Sequence, residues 1–357
     1  VLVNNRALLA RLKAYDGPPA RLMEVCGTHT MAIARYGIQQ ALPERVELVS
    51  GPGCPVCVCE PGVVSVAIKL AGRPGVILAT FGDMLSVPAG AGSLSQTRAG
   101  GADVRVVYSP AQAVTIAEQT PERPVVFLAV GFETTAPAIA SAVKMAKEKR
   151  LTNLSFLTSL RTIPPALRAL SNDPEIKLSG FLLPGHVSVI IGVKPYQLAL
   201  SDSGLPAVVA GFTAGDILQA IDRLLTLIHS RSSAVENAYP RAVDFMGNAK
   251  AQQLLAEVFV PADISWRGLG VIPRSGLVFT DAYKEFDALG KHSVLVEDEL
   301  PPTGCRCGDV LAGRIRPTEC ALFSTACTPQ SPVGPCMVSS EGTCSAYYKY
   351  GGGQVEK

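Results

Sequence analysis

Between Pro124 and Val130 the chain is apolar at every position. It then passes through Gly-Phe-Glu-Thr-Thr into a stretch of small residues from Ala136 to Lys147. A strand that is apolar on both faces is buried on both faces, which is the condition of a parallel sheet covered by helices. The same motif recurs along the first two thirds of the chain. Arg21 to Val25 reads as a strand, Cys26 to Thr30 as a turn and Met31 to Leu42 as a helix. Val46 to Ser50 is a strand running into a loop of Gly, Pro and Cys. Val76 to Phe81, Val104 to Tyr108, Leu154 to Leu160, Gly180 to Leu183 and Ala207 to Ala210 are further strands, the last feeding a helix from Gly215 to His229. Alternation of this kind predicts an α/β fold of parallel sheets. Ligands in such folds bind beyond the carboxyl ends of the strands. The unusual loops fall there: 26–30, 51–59, 131–135 and 184–188.

A strand, then Gly-Phe, then a helix of small residues occurs near 125–145 and again near 207–228, which predicts two similar parallel-sheet α/β domains. Composition shifts near Val235 towards turns and irregular segments. The expected division is therefore 1–120 and 121–234 for the α/β domains and 235–357 for a third domain with a cysteine-rich tail. A net charge of +2, from 32 basic and 30 acidic residues, gives no reason to expect nucleic acid or an acidic membrane as partner. The apolar stretch Val63 to Phe81 is interrupted by Lys69, Arg73 and Pro74, so no transmembrane helix is expected. The N-terminal residues lack the charged-then-apolar pattern of a secretory signal, so the expected compartment is the cytoplasm.

The ten cysteines fall into two groups, four from Cys26 to Cys59 and six from Cys305 to Cys344. Clustering in a large chain of a reducing compartment points to metal or redox chemistry. In the tail, Cys305, Cys307, Cys320, Cys327, Cys336 and Cys344 are separated by loops rich in Gly and Pro. Such loops can wrap a [4Fe–4S] cluster and turn amides towards its sulfurs. Cys305, Cys320, Cys327 and Cys344 are one choice of four ligands. Cys307 could replace its neighbour, and Cys336 sits in an equally special loop. The alternatives for the tail are a zinc site or three disulfides.

Cys54 and Cys57 form a Cys-x-x-Cys unit after a strand, spaced for a reversible disulfide or for iron handling. The alternative is half of a zinc site. Cys59 adds an accessory thiol. Cys26 stands alone at the start of a helix, whose dipole favours a thiolate, with His29 three residues on. An inert core cysteine and a packed histidine are the alternatives. Glu133 and His186 each follow a buried strand, as a proton-handling group would. Here the alternatives are a helix cap from Thr134 or Thr135 and a histidine satisfied by the backbone.

Five stretches follow one another along the chain: Met23–Thr30 (Met-Glu-Val-Cys-Gly-Thr-His-Thr), Ser50–Cys57 (Ser-Gly-Pro-Gly-Cys-Pro-Val-Cys), Val130–Pro137 (Val-Gly-Phe-Glu-Thr-Thr-Ala-Pro), Leu183–Ser188 (Leu-Pro-Gly-His-Val-Ser) and Pro332–Gly342. In this order they resemble the HypD family of hydrogenase maturation factors. The resemblance implies a role in building the Fe(CN)2CO group of [NiFe]-hydrogenase. It implies that Cys26 shares the iron with the chaperone HypC, and that HypE, working with HypF, donates cyanide. Cys54 and Cys57 become a redox pair, the tail holds a [4Fe–4S] cluster, and His29, Glu133 and His186 are candidates to donate protons or hydrogen bonds to the cyanide nitrogens. A cluster-dependent thiol–disulfide reductase acting on a protein substrate is the rival reading.

Overall fold

The computed structural model describes residues 5–351 apart from 91, 300 and 301. Its strands are β1 (Ala20–Glu24), β2 (Val46–Ser50), β3 (Ile77–Thr80), β4 (Asp103–Val106), β5 (Val125–Gly131), β6 (Leu154–Arg161), β7 (Gly180–Pro184), β8 (Ala207–Ala210), β9 (Val235–Asn237), β10 (Phe259–Trp266) and β11 (Gly270–Phe279). They form two sheets. One is wholly parallel, in the order β2-β1-β7-β8-β9. The other runs β10-β11-β6-β5-β3-β4, parallel from β6 to β4 and closed by the antiparallel pair β10–β11. The α/β class read from the apolar runs is the one observed.

Alternate residues of each strand serve different layers. In the first sheet Leu22, Leu48, Leu182 and Val208 pack outward, against helices Ala214–His229 and Asn5–Lys13. In the second, Ile77, Val125, Phe127 and Phe156 pack outward around helices Pro110–Gln119 and Ala136–Glu148. The opposite faces, with Met23 and Leu183 from one sheet and Leu78, Val126 and Leu157 from the other, meet in one shared core. Burial on both faces explains why β3, β5, β7 and β8 carry almost no polar residue.

Sheet membership departs from the division at 120 and 234. The first sheet takes β1 and β2, then β7, β8 and β9; the second takes the strands between, plus the hairpin. The chain thus crosses from sheet to sheet after β2, after β6 and after β9, and both sheets mix strands from the two expected domains. The hairpin within 235–357 belongs to the second sheet. The tail is likewise part of the body: Cys307, Val310, Cys336, Met337 and Cys344 lie in the shared core. Helix Thr343–Tyr350 packs on helix Gly27–Arg35, and helix Pro335–Val338 on helix Pro55–Val58.

Two local differences follow from backbone chemistry. The helix expected over Met31–Leu42 begins earlier, at Gly27, and breaks at Gly37, whose φ of 61° ends the first segment at Arg35 and opens a second at Ile38. The hairpin β10–β11 was not anticipated, because its side chains alternate irregularly between exposed and buried. No helix among the described residues is long and apolar enough to cross a membrane.

Candidate functional site

In each sheet the strand order reverses once, between β1 and β7 in the first and between β3 and β5 in the second. Such reversal points open a crevice beyond the carboxyl ends of the strands. Loops from β1, β2, β5 and β7 meet there, and the tail closes over them. The result is a cavity of about 450 Å³ whose walls include Cys26, Thr28, Gly53, Thr134, His186 and Glu341.

Cys26 is held in place through its backbone. Its N–H donates to Glu24 Oε2 (2.8 Å), and the Thr30 hydroxyl donates to the other oxygen of that carboxylate. The N–H of Gly27 donates to Gly53 O at 3.0 Å. A Cβ on Gly53 would lie 2.2 Å from Cys26 N, and one on Gly27 would lie 2.5 Å from Glu341 Cβ. Only glycine fits at either position. Burial pushes the Cys26 thiol up to about 12, against the amides of His29 and Thr28, which favour the thiolate; Glu24 and Glu341 add to the rise. A thiol so placed is a poor free nucleophile. A bound cation supplies the missing compensation and takes the place of the proton. Burial also pushes the Glu24 carboxyl up to about 7, against hydrogen bonds from Thr30, Cys26 and Ser50.

Of the three groups expected to serve cyanide, only His186 lines the cavity. Burial lowers its pKa, which favours the neutral ring. His29 lies behind the wall. Its Nε2 meets Gly211 O at 2.9 Å, its Nδ1 has no partner, and burial lowers it to about 4. Both histidines stack on Phe212, with ring centroids 4.9 Å (His29) and 3.8 Å (His186) away. Glu133 turns from the cavity to accept the Ile163 N–H at 2.9 Å, while its neighbours Thr134 and Thr135 face the space.

Cys54 and Cys57 are joined in a disulfide with Cα atoms 5.2 Å apart. They flank the first turn of helix Pro55–Val58, where the Cys57 N–H donates to Cys54 Sγ at 3.1 Å. On one side Gly53 touches Cys26. On the other, the helix packs against helices Cys307–Leu311 and Pro335–Val338. The dithiol therefore lies between Cys26 and the tail cysteines. Cys59 faces away from both, with Sγ 3.3 Å from Ser159 Oγ.

All six tail cysteines converge on one apolar pocket enclosing about 20 Å³. Cys307 is pulled well below the ordinary thiol range by hydrogen bonds from Cys305 and Cys336, with the charge of Arg267 adding to them. Cys305 and Cys336 are pushed up in return. The Val333 N–H donates to Cys327 Sγ at 3.3 Å, and a Cβ on Gly334 would fall 2.6 Å from Cys305 Sγ. Soft donors, an amide aimed at sulfur and a glycine at the wall are the features of an iron–sulfur cradle. Among the described residues no three His, Cys, Asp or Glu side chains are grouped to hold a single ion. A cluster differs, since its ligands stand further apart than those of one metal.

The expected residues omitted Glu24, Thr28 and Glu341, which fix the Cys26 loop; Thr28 Oγ1 donates to Glu341 Oε1 at 2.8 Å. Glu24 carried a signal, as an acid at the end of an otherwise buried strand. Glu341 had only its place in a Gly-Pro-rich motif.

Fold and site define a class: a two-sheet α/β protein with a thiol in a cleft between the sheets, a neighbouring dithiol and a tail cage of cysteines. A family model described as "HypD: Hydrogenase formation hypA family" matches residues 4–351. The hydrogenase maturation factor HypD2 of Bradyrhizobium diazoefficiens is 44% identical over 351 residues, covering 96% of this chain and 92% of that protein. HypD of Escherichia coli is 46% identical over 333 residues, covering 93% and 89%. The hydrogenase expression/formation protein HupD of Azotobacter chroococcum is 45% identical over 355 residues, covering 97% and 94%. The chain belongs to the HypD family of hydrogenase maturation factors.

Proposed function

We propose that the chain scaffolds assembly of the Fe(CN)2CO group of [NiFe]-hydrogenase in the cytoplasm, with Cys26 holding the iron together with HypC. The observation that carries this reading is the place of Cys26: a buried, proton-holding thiol on the wall of a 450 Å³ cavity, backed by a dithiol. A soft thiolate suits low-spin Fe(II) bearing strong-field ligands. HypE, charged through HypF, brings the cyano group as a thiocyanate. His186, Thr28, Thr134 and Thr135 are the polar side chains able to meet the nitrogen ends of bound cyanides.

Releasing cyanide from a thiocyanate takes two electrons. With Cys54 and Cys57 reduced, their thiols give two electrons and two protons as the S–S bond forms. The S–CN bond breaks, the carrier sulfur leaves as a thiol with one of those protons, and cyanide passes to iron. The second proton goes to solvent. The atoms and charges balance with the dithiol as sole reductant. The tail cysteines would hold a [4Fe–4S] cluster, Cys305, Cys320, Cys327 and Cys344 being the preferred set, with Gly- and Pro-rich loops opening to seat it. When bound, such a cluster is a one-electron store able to renew the dithiol. The rival reductase reading gives no role to Cys26, which lines the cavity.

Infrared spectroscopy of the anaerobically purified complex with HypC tests the iron assignment. Wild type is expected to show cyanide and CO stretching bands, and Cys26→Ala to lose them. Bands that survive the substitution would refute the role of Cys26. Iron and acid-labile sulfide near four of each per chain, lost in Cys320→Ala, are expected for the cluster.

A further inference from the structure

Two arginines are buried near Cys59, and one of them, Arg267, borders the cysteine cage. Arg161, at the end of β6, is 1% exposed, and Arg267, in the turn between β10 and β11, is 4% exposed. Burying an unpaired charge costs several kcal/mol. Neither forms an ion pair among the described residues. Arg267 donates Nε and Nη2 to the carbonyl of Cys59, at 3.0 and 2.8 Å, and its Nη1 has no partner. Arg161 donates to Ser159 Oγ and Ser265 O, and its Nε has none. Glu60, the nearby acid, accepts from Ser265 Oγ instead. Among the described residues no carboxylate closes an ion pair with either cation, though Glu60, Glu299 and Asp309 line the same cleft as Arg267.

The cage is where a matching negative charge belongs. Gly268, at a φ of +80°, packs so closely on the tail that a Cβ there would lie 2.2 Å from Gly308 Cα. This contact fixes Arg267 beside Cys307, and the two residues share the wall of one cleft of about 350 Å³. Thiolate ligands make an iron–sulfur cluster anionic, and reduction adds one more negative charge. A fixed cation at the wall favours the reduced form and raises the potential.

We infer that Arg267 is the permanent counter-charge of the cysteine cage and sets the reduction potential of the cluster held there. The inference rests on the cluster reading above. Through the Cys59 carbonyl the same side chain ties the cage to the end of the dithiol helix, so potential and placement of the two redox groups depend on one residue.

The test is an anaerobic redox titration of the full-length protein with reconstituted cluster, followed by visible absorbance and electron paramagnetic resonance. Arg267→Gln is expected to shift the midpoint to more negative values, and Arg267→Lys, which keeps the charge, to stay near wild type. An unchanged midpoint in Arg267→Gln overturns the inference, as do equal shifts in both variants, which would mark a purely structural role. If Arg267→Gln does not fold, Arg267→Met, which keeps the bulk of the side chain without its charge, is read in its place. A more negative midpoint supports the inference and an unchanged one overturns it. Wild-type protein that takes up neither iron nor sulfide defeats the cluster reading itself, and this inference with it.

Discussion

Glu133 leaves one carboxylate oxygen buried without a partner, and burial pushes its carboxyl up to about 7 from an ordinary 4.5. Below 4.5 the group is protonated in both folded and unfolded chains. Between 4.5 and 7 only the unfolded chain ionises, so stability falls as pH rises through that window. Glu24, raised to the same level, adds an equal share, whereas His29, lowered to about 4, works in the opposite sense between 4 and 6.5. Glu133→Gln keeps an oxygen for the Ile163 N–H and removes the ionisation. Relative to wild type it should gain on the order of 3 kcal/mol between pH 4.5 and pH 8. Melting temperature against pH measures this, and an unaltered profile would show that the carboxyl ionises freely in the folded protein. At this scale the motifs picked out Cys26 and His186, which line one cavity, and Cys54 and Cys57, which adjoin its wall at Gly53 and Pro55. They did not separate His186, which faces the cavity, from His29 and Glu133, which do not, because side-chain direction within a loop depends on its packing partners. Arg161 and Arg267 sit in no motif, and nothing local marks either as buried.

Among the elements, strands and helices with continuous apolar runs were legible to within a residue or two, as with β2, β8 and the helix Ala136–Glu148. Such segments are buried on both faces, and burial is what the pattern records. The hairpin β10–β11 escaped because one face meets solvent unevenly. Its pairing with β6 rests on Gly276 against Arg161 and Leu277 against Leu160, contacts no local pattern encodes. The loop after β2 depends on one residue lacking a side chain. In Gly53→Ala the new methyl would collide with the Cys26 backbone. A loss of about 1–3 kcal/mol in urea unfolding is expected. A stability equal to wild type would mean that the loop yields freely and does not clamp Cys26.

For the whole molecule, the shared core between the sheets predicts one cooperative transition. Trp266, the single tryptophan, is fully buried, donates to Ser275 Oγ at 2.8 Å and stacks on Phe132, so its fluorescence reports the second sheet and the arginine turn. Fluorescence and far-ultraviolet circular dichroism should give coincident urea curves. Separate midpoints would show that the sheets unfold independently. The sequence pattern supplied β1 to β8 but missed β9 and the hairpin, and it gave no strand its partners. The faint repeat suggested two consecutive domains, whereas the chain visits the first sheet, builds most of the second, returns to the first and closes on the hairpin.

That route has a consequence for synthesis. While the ribosome is still making the second sheet, β1 can pair only with β2, since its other neighbour is β7, at Gly180–Pro184. The loop bearing Cys26 therefore emerges early but waits through more than a hundred further residues before the opposite wall of its cleft exists. For that interval the thiols of Cys26, Cys54 and Cys57 have no folded cleft around them. A growing chain arrested before β7 should accordingly react with thiol reagents at positions that the finished protein shields.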